Sequence, residues 1–408
     1  MKLNITLIGV NFLPEDTAIG LYSTQMAQYL ESRGHQINII TGFPYYPQWE
    51  IHKDYKSKSK FFEESLDQIR VLRYKQYVPQ NPTFFKRIIH LLDFTIGSFF
   101  NLRKISNADL VICVVPFTSS ILLGWWLKRK TKAKLWIHIQ DFEFDAAVQA
   151  GVSRNKNRIK NLIFKLLFWI EKMLLNSADI GSTISFTMVN KFQDKSNLPI
   201  VYFPNWIDAD KINPNKAKEH PFLGSSKFKV LYSGNVGDKQ DWELFVNLVN
   251  KLESCNDIEF VVVGDGAKFQ WLTETIGSNQ IVSFHKPVPY EELSDLLCST
   301  DLHILFQKTD VVDTVMPSKL LGMMASGKPS IVTGNPASEV KQVLNKSKGG
   351  IYLDTNNLDE LIEALTNLME NQEKAKLMGS EARIYVEKIF GKDQILANLE
   401  EQIFKVLD

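Results

Sequence analysis

One stretch in the second half of the chain dictates three successive local structures. It runs from Asp313 to Thr333 and reads Asp-Thr-Val-Met-Pro-Ser-Lys-Leu-Leu-Gly-Met-Met-Ala-Ser-Gly-Lys-Pro-Ser-Ile-Val-Thr. Proline at a helix start and glycine just past its last turn predict a short helix over residues 318–325. Lys328 and Pro329 then lead into a buried strand. Such a helix between a turn and a buried strand is typical of an α/β domain.

The start of this helix is also a candidate anion site. Free N–H groups at a helix start favour negative charge, and Ser318 and Lys319 add a hydroxyl and a cation there. From these residues alone, a phosphate site and a capped core helix are equally well supported.

Length and composition indicate two domains of an ordinary globular protein. The 408 residues exceed what one core usually organises, and 44% of them are hydrophobic and 23% charged. The three cysteines, Cys113, Cys255 and Cys298, are widely spaced and form no C-x-x-C pair. They therefore indicate neither a disulfide framework nor a zinc site, and they suit a reducing cytosol.

The net charge of +1 conceals two halves of opposite sign. Residues 1–205 carry 26 Lys and Arg against 16 Asp and Glu, whereas residues 206–408 carry 21 against 30. A basic half suggests an anionic partner, such as a membrane surface or a nucleic acid. Chance drift with solvated charged faces is the alternative.

No targeting or spanning segment is predicted. The apolar run Leu3–Val10 is short and continues into Asn11 and Pro14, unlike a signal peptide. Residues 110–127 are uncharged and long enough to span a bilayer. Pro116 and the serines that follow split this run into a strand, a turn and a helix start, so we expect a unit of an α/β domain.

The first residues predict a βαβ opening. We expect a strand over 2–10, a loop over 11–20, a helix over 21–33 and a second strand over 35–41. The dinucleotide fingerprint G-x-G-x-x-G is absent after the first strand, which argues against a nicotinamide oxidoreductase.

Two later helices have basic flanks and aromatic bodies, over residues 84–104 and 154–175. Helices of this kind can lie in a membrane interface. The favoured prediction is a core helix with solvated ends in each case, and the membrane interface is the alternative.

The pattern Pro-x-Lys-x-x-x-Met-x-Ala-Ser-Gly-Lys-Pro at residues 317–329 resembles the donor-site signature of family 4 glycosyltransferases. Matching segments run from the first strand to about residue 340. The resemblance implies the α/β fold called GT-B, in which two Rossmann-like domains face a central cleft. It implies an acceptor domain over 1–205, a nucleotide-sugar domain over 206–390, and a helix over 391–408 that returns to the first domain.

The resemblance also implies where the donor is held. Asn235 takes the place of a family arginine, and the two usual glutamate positions hold Thr314 and Gly322. Asp313, one residue before the first of them, is a candidate replacement. The implied donor contacts are Gly20, Gly234, Asn235, Lys239, Gly264, Gly266, Lys286, Pro287, Asp313, Pro317, Ser318 and Lys319.

Catalytic and acceptor residues are implied in the same way. Many family members carry a His directly before an Asp at the strand end near residue 140. Here Gln140 precedes Asp141, and His138 lies two residues earlier on the same strand face. The implied catalytic residues are His138, Asp141 and Lys239, and the implied acceptor contacts are Glu15, Tyr45, Gln140 and Glu143.

The acids at 141, 143 and 145 could instead suggest Mg²⁺ or Mn²⁺ binding. GT-B enzymes generally do without a metal, so the resemblance implies sugar or acceptor contacts, one of which could act as a base. No metal site is predicted.

The departures from the family pattern are shared by a subgroup that builds O-antigen, capsule and colanic acid and includes N-acetyl-L-fucosamine transferases. The resemblance to this subgroup implies a retaining transferase that uses a UDP-sugar and a polyprenyl-diphosphate-linked acceptor. It implies no further cofactor. It implies a cytoplasmic enzyme whose basic domain meets the anionic inner face of the plasma membrane, and no nucleic acid. The alternatives are a UDP-sugar 2-epimerase of the same fold and a non-catalytic sugar-nucleotide-binding protein.

Overall fold

The computed structural model describes residues 1–15, 18–115, 118–142, 158–309, 318–354 and 357–407. The chain divides into two compact units. The first consists of Met1–Pro204 together with Leu396–Asp408, and the second of Asn205–Ile395.

Within the described residues, the first unit has an eight-stranded sheet with the order β3-β4-β2-β1-β5-β6-β7-β8. All neighbours are parallel except β3 and β4, which are antiparallel. The strands are β1 (Asn4–Ile8), β2 (Gln36–Gly42), β3 (Phe61–Leu66), β4 (Ile69–Tyr74), β5 (Leu110–Val115), β6 (Lys134–Ile139), β7 (Ile180–Thr183) and β8 (Ile200–Tyr202). Every residue of β5 is buried, as a continuous apolar run in a parallel sheet requires.

Helices follow most of these strands. They are α1 (Ala18–Ser32), α2 (Phe84–Leu102), α3 (Ser120–Thr131), α4 (Arg158–Leu175) and α5 (Phe186–Lys195). Because α1 begins at Ala18, Gly20 lies inside its first turn, whereas the sequence predicted a loop up to that residue. The uncharged run at 110–127 forms β5 and the start of α3, and no helix of the described chain is long and apolar enough to cross a bilayer.

The described part of the second unit has a six-stranded parallel sheet with the order β11-β10-β9-β12-β13-β14. Its strands are β9 (Phe228–Asn235), β10 (Ile258–Asp265), β11 (Val282–His285), β12 (Leu302–Phe306), β13 (Ser330–Thr333) and β14 (Gly350–Leu353). Chain order reverses between β9 and β12. In parallel α/β sheets, ligands bind beyond the carboxyl ends of the strands at such a point.

The helices of this unit are α6 (Trp242–Lys251), α7 (Phe269–Ile276), α8 (Leu293–Cys298), α9 (Ser318–Ala325), α10 (Glu339–Ser347), α11 (Leu358–Glu370) and α12 (Gln372–Phe390). They cover a core of buried side chains. Phe245 of α6, for example, lies 5.8 Å from the Phe260 ring and 5.3 Å from the Phe306 ring.

The final helix, α13 (Lys392–Leu407), brings the chain back to the first unit. Glu400 accepts a hydrogen bond from Arg33 Nε at 2.9 Å and lies 3.2 Å from His35 Nε2. Leu396 and Ile403 are fully buried in this part of the fold.

Candidate active site

Lys319, the second residue of α9, lies against the carboxyl end of β9. Its ammonium donates to the Tyr232 hydroxyl at 2.9 Å and to the Asn235 carbonyl at 3.3 Å, and it lies 4.8 Å from the centroid of the Tyr232 ring. Burial lowers the pKa of Lys319 to about 8. Among the described residues no carboxylate forms an ion pair with this half-buried cation, so the site favours an anionic ligand.

Three glycines allow close packing at the carboxyl ends of β9 and β10, and one of them faces Lys319. A Cβ on Gly234, whose φ is +127°, would lie 2.7 Å from the Lys319 Nζ. A Cβ on Gly264 would lie 2.0 Å from the Gly234 carbonyl oxygen, and one on Gly266, whose φ is +148°, would lie 2.5 Å from the Val236 carbonyl oxygen. The ends of β9 and β10 can therefore come together only because these positions carry no side chain.

Other predicted donor residues lie at the same edge of the sheet. Asn235 ends β9 and is exposed. Lys286 and Pro287 follow β11, and the Lys286 ammonium lies 3.1 Å from an Asp265 carboxylate oxygen.

Lys239 lies in the loop that follows β9. It is exposed, and its carbonyl oxygen accepts from the Lys308 N–H at 3.1 Å. Asp313 and Pro317 lie outside the described residues, and Ser318 is placed as the first residue of α9.

Glu15 in the first unit connects two loops at the carboxyl edge of its sheet. Its Oε1 accepts from the N–H groups of Tyr45 and Tyr46, both at 2.8 Å, and its Oε2 accepts from Asn11 Nδ2 at 2.8 Å. Burial raises the pKa of Glu15, and these hydrogen bonds oppose that effect. A Cβ on Gly20 would lie 2.8 Å from the Glu15 carbonyl oxygen, so Gly20 is packed against this residue.

Tyr45 is buried beside Glu15. Burial and the nearby Glu15 carboxylate both raise the pKa of the Tyr45 hydroxyl. Its ring packs edge-on against His90, with 4.8 Å between the centroids. Glu15 thus holds the loop that contains Tyr45 and Tyr46, so its role is to position this loop.

His138 on β6 is buried and has a neighbour at each ring nitrogen. Nδ1 lies 2.9 Å from Ser182 Oγ, and Nε2 lies 2.8 Å from the Gln140 amide nitrogen. Burial lowers the pKa of His138 to about 3, so the ring is neutral at physiological pH. Trp136 Nε1 also donates to Ser182 Oγ, at 2.7 Å.

This network fixes Gln140 directly before Asp141, which is exposed at the end of β6. The catalytic roles of His138 and Asp141 stay predictions. Glu143 lies outside the described residues. Elsewhere in the described chain, no three His, Cys, Asp or Glu side chains are grouped as a metal site would require.

The sequence prediction missed Tyr232. This residue lies two positions before Gly234, on the same face of β9, and its hydroxyl donates to the Asn235 carbonyl at 2.6 Å. The alternation of strand residues could have identified it as the aromatic platform under Lys319.

Comparison with known proteins identifies the family and the fold of the chain. The chain matches the family model "Glycosyl transferases group 1" over residues 215–385 and the "Glycosyl transferase 4-like domain" over residues 17–206. It is 29% identical to WcaI of Escherichia coli K12, a protein assigned to colanic acid biosynthesis as a glycosyl transferase, over 97% of this chain and 98% of WcaI. It is 22% identical to the N-acetyl-alpha-D-glucosaminyl L-malate synthase of Bacillus anthracis, over 100% and 98% of the two chains.

Solved structures of similar fold cover the whole chain. Sucrose-phosphate synthase from Thermosynechococcus elongatus has a TM-score of 0.75 at 14% identity, over 99% of both chains. Anabaena HepE in complex with UDP and glucose has a TM-score of 0.66 at 12% identity, over 98% and 99% of the two chains. The predicted fold class is confirmed, and the chain belongs to the family 4 glycosyltransferases, which have the GT-B fold.

Proposed function

We propose that this glycosyltransferase transfers a sugar from a UDP-sugar to a polyprenyl-diphosphate-linked saccharide, with retention of configuration and without a metal, in bacterial surface polysaccharide synthesis. The observation that carries the donor assignment is Lys319, a half-buried cation at the switch point of a parallel sheet that has no carboxylate partner among the described residues. HepE, which shares the fold, was crystallised with UDP-glucose. The relation to WcaI supports the polysaccharide pathway, and an N-acetylated sugar such as N-acetyl-L-fucosamine is our candidate donor sugar.

In this mechanism, positive charge from the chain stabilises the departing UDP. Lys319 and the free N–H groups at the start of α9 meet the growing negative charge, and Lys239 adds a second cation. Such preorganised groups are each worth about 3 kcal/mol of transition-state stabilisation.

The acceptor side is assigned to the first unit. Asp141 is the proposed contact or base for the acceptor hydroxyl, because it is an exposed carboxylate at a strand end. His138 acts through Gln140, since both ring nitrogens are engaged and the ring is neutral. Glu15 and Tyr45 shape the neighbouring loop.

We further propose that the first unit binds the anionic inner face of the plasma membrane. The two aromatic helices were expected in the core, but α2 and α4 also expose large apolar side chains at helical spacing, namely Ile89, Leu92, Ile96, Phe100, Leu166, Trp169 and Met173. Described acidic side chains of α2 and α4 are engaged elsewhere: Asp93 accepts from the Tyr74 hydroxyl and the Tyr77 N–H, and buried Glu171 pairs with Lys195. Exposed apolar residues on helices with basic flanks suit an interfacial helix.

Substituting Ile96→Asp together with Trp169→Asp is expected to reduce binding to vesicles of phosphatidylcholine and phosphatidylglycerol by at least about tenfold, because burying each side chain is worth roughly 1.5–3 kcal/mol. Co-sedimentation measures the bound fraction. Leu377→Asp is the matched control, because Leu377 is 65% exposed on α12 of the second unit. Equal binding by the double variant and the control would contradict a membrane role for α2 and α4.

A donor screen tests the activity itself. The protein is incubated with a panel of UDP- and GDP-sugars, with and without a short polyprenyl-diphosphate sugar, and nucleotide release is measured. We expect release from one UDP-sugar only when the acceptor is present, and NMR of the product then reports the anomeric configuration. Consumption or isomerisation of a UDP-sugar without acceptor would instead indicate an epimerase, and UDP binding without turnover a non-catalytic protein.

A further inference from the structure

A cavity of about 680 Å³ lies at the amino-terminal edge of the six-stranded sheet. It is lined by residues that precede or begin β9, β12 and β13, and by the side of α12. Lys319 meets the carboxyl end of β9, so this cavity lies at the other edge of the sheet from the donor residues. Its volume is in the range of small-molecule sites, which is roughly 300–1,000 Å³.

The turn of residues 326–329 brings Lys328 to this cavity. These residues belong to the Ala-Ser-Gly-Lys-Pro part of the signature, which the donor site does not use. Gly327 has a φ of +70°, and a Cβ on Gly379 of α12 would lie 2.1 Å from the Gly327 carbonyl oxygen. Both positions therefore require glycine for the turn to pack this closely on α12.

Side chains hold the same turn from two other directions. Ser326 Oγ donates to the Met323 carbonyl at 2.6 Å and lies 2.9 Å from His303 Nε2. Arg383 donates to the Ala325 carbonyl and, at 2.9 Å, to the Ala209 carbonyl. The backbone around Lys328 is thus preorganised, which lowers the entropy lost when a ligand binds.

Cations predominate in the cavity. Lys227 and Lys328 have no ion-pair partner among the described residues, and Lys376 reaches only the exposed Glu373, at 3.9 Å. Lys229 and Asp301 compensate each other, because the ammonium lies 3.8 Å from the carboxylate that also accepts the Lys229 N–H.

Asp257 is the one remaining carboxylate of the described lining. Three lysines, Lys227, Lys328 and Lys376, therefore face one acid. This excess stands out in a half of the chain that carries 21 Lys and Arg against 30 Asp and Glu. A positive cavity inside an acidic half concentrates anions there.

The remaining lining defines the ligand class. The hydroxyls of Ser226 and Ser380 and the Gln372 amide can donate hydrogen bonds, while Phe228 and Met369 offer apolar surface. Lysines with neutral donors suit phosphate oxygens. We propose that this cavity binds a phosphorylated small molecule at a site separate from the donor site, an inference that does not depend on the identity of the donor.

Calorimetric titration of the full chain with inorganic pyrophosphate tests the proposal. The wild-type protein is compared with Lys328→Met, Lys319→Met and Lys388→Met, the last being an exposed lysine of α12 that does not line the cavity. We expect two binding sites in the wild type, one weakened at least about tenfold by Lys328→Met and the other by Lys319→Met. Lys388→Met should leave both unchanged.

A single site that only Lys319→Met weakens would overturn the proposal. Equal losses of pyrophosphate affinity with Lys328→Met and Lys388→Met would also overturn it, because they would indicate diffuse attraction to surface charge. Lys227→Met repeats the test from the other side of the cavity, and thermal unfolding monitored by circular dichroism verifies that each variant is folded. A single site that only Lys328→Met weakens would count against the donor site and leave this cavity supported. Adenosine monophosphate and glucose 6-phosphate, titrated in parallel, report whether a base or a sugar contacts the apolar wall.

Discussion

Replacing Lys319 by methionine is expected to lower the turnover of the UDP-sugar by about 10²- to 10³-fold, because the departing diphosphate loses a preorganised cation. The fold should be retained. Methionine is similar in length and apolar, and it removes an ammonium whose burial already lowers its pKa to about 8. We therefore expect the free energy of unfolding at pH 7 to remain equal or to rise. Steady-state kinetics and chemical denaturation measure the two effects.

The pH dependence of UDP binding identifies the same lysine without relying on turnover. A bound diphosphate favours the charged ammonium, so it raises the Lys319 pKa above its free value of about 8. Affinity for UDP should be level below about pH 7 and should fall, by up to about tenfold per pH unit, above pH 8. Binding should then take up protons, which calorimetry in two buffers of different ionisation enthalpy detects.

The Lys319→Met variant is the control for the pH dependence of UDP affinity and for the proton uptake. It should bind UDP weakly and with no proton uptake near pH 8.5. Proton uptake of the same size in the variant, or none in the wild type, would remove Lys319 from the donor site.

The second large effect is expected for Gly264→Ala, which should destabilise the second unit by about 3 kcal/mol, at the upper end of the range for overpacking. The added Cβ would lie 2.0 Å from the Gly234 carbonyl oxygen, in the backbone of the neighbouring strand. Because backbone cannot rotate away as a side chain can, β9 and β10 must separate at their carboxyl ends. Urea denaturation followed by tryptophan fluorescence measures the loss.

Gly224→Ala provides the matched control, because the nearest atom to its added Cβ is 3.8 Å away. Its free energy of unfolding should stay within about 0.5 kcal/mol of the wild-type value. The Gly264 variant should also bind UDP more weakly, since the displaced end of β9 carries the Asn235 carbonyl that Lys319 contacts. Equal midpoints for the two variants would show that the strands tolerate the extra methyl group.

Local signals in the sequence were enough to predict much of the fold. Helix α9 has the predicted bounds, Ser318–Ala325, because proline and glycine mark its two ends. The antiparallel pair β3 and β4 was missed. Its turn places Asp67 at a φ of +51° without the Asn-Gly or Asp-Gly signal that usually marks such a hairpin.

Residues distant in the chain account for what sequence reasoning could not see. Nδ1 of His138 is occupied because Ser182 lies beside it on the neighbouring strand, 44 positions later in the chain. No local pattern encodes that contact. The apolar residues of α2 encircle the helix, so the sequence could not separate the side that packs on the sheet from the side that carries Ile96, which is 64% exposed.

Because α13 follows the second unit in the sequence, the first unit cannot be completed until the second unit has been synthesised. Residues up to Pro204 emerge first, yet Leu396, Glu400 and Ile403, which complete the first unit, emerge only after the entire second unit. Until then Arg33 and His35 lack their carboxylate partner, and the apolar surface beneath α13 faces water. The unit that is started first is therefore the one that is completed last, and its surface beneath α13 stays uncovered throughout the synthesis of the second unit.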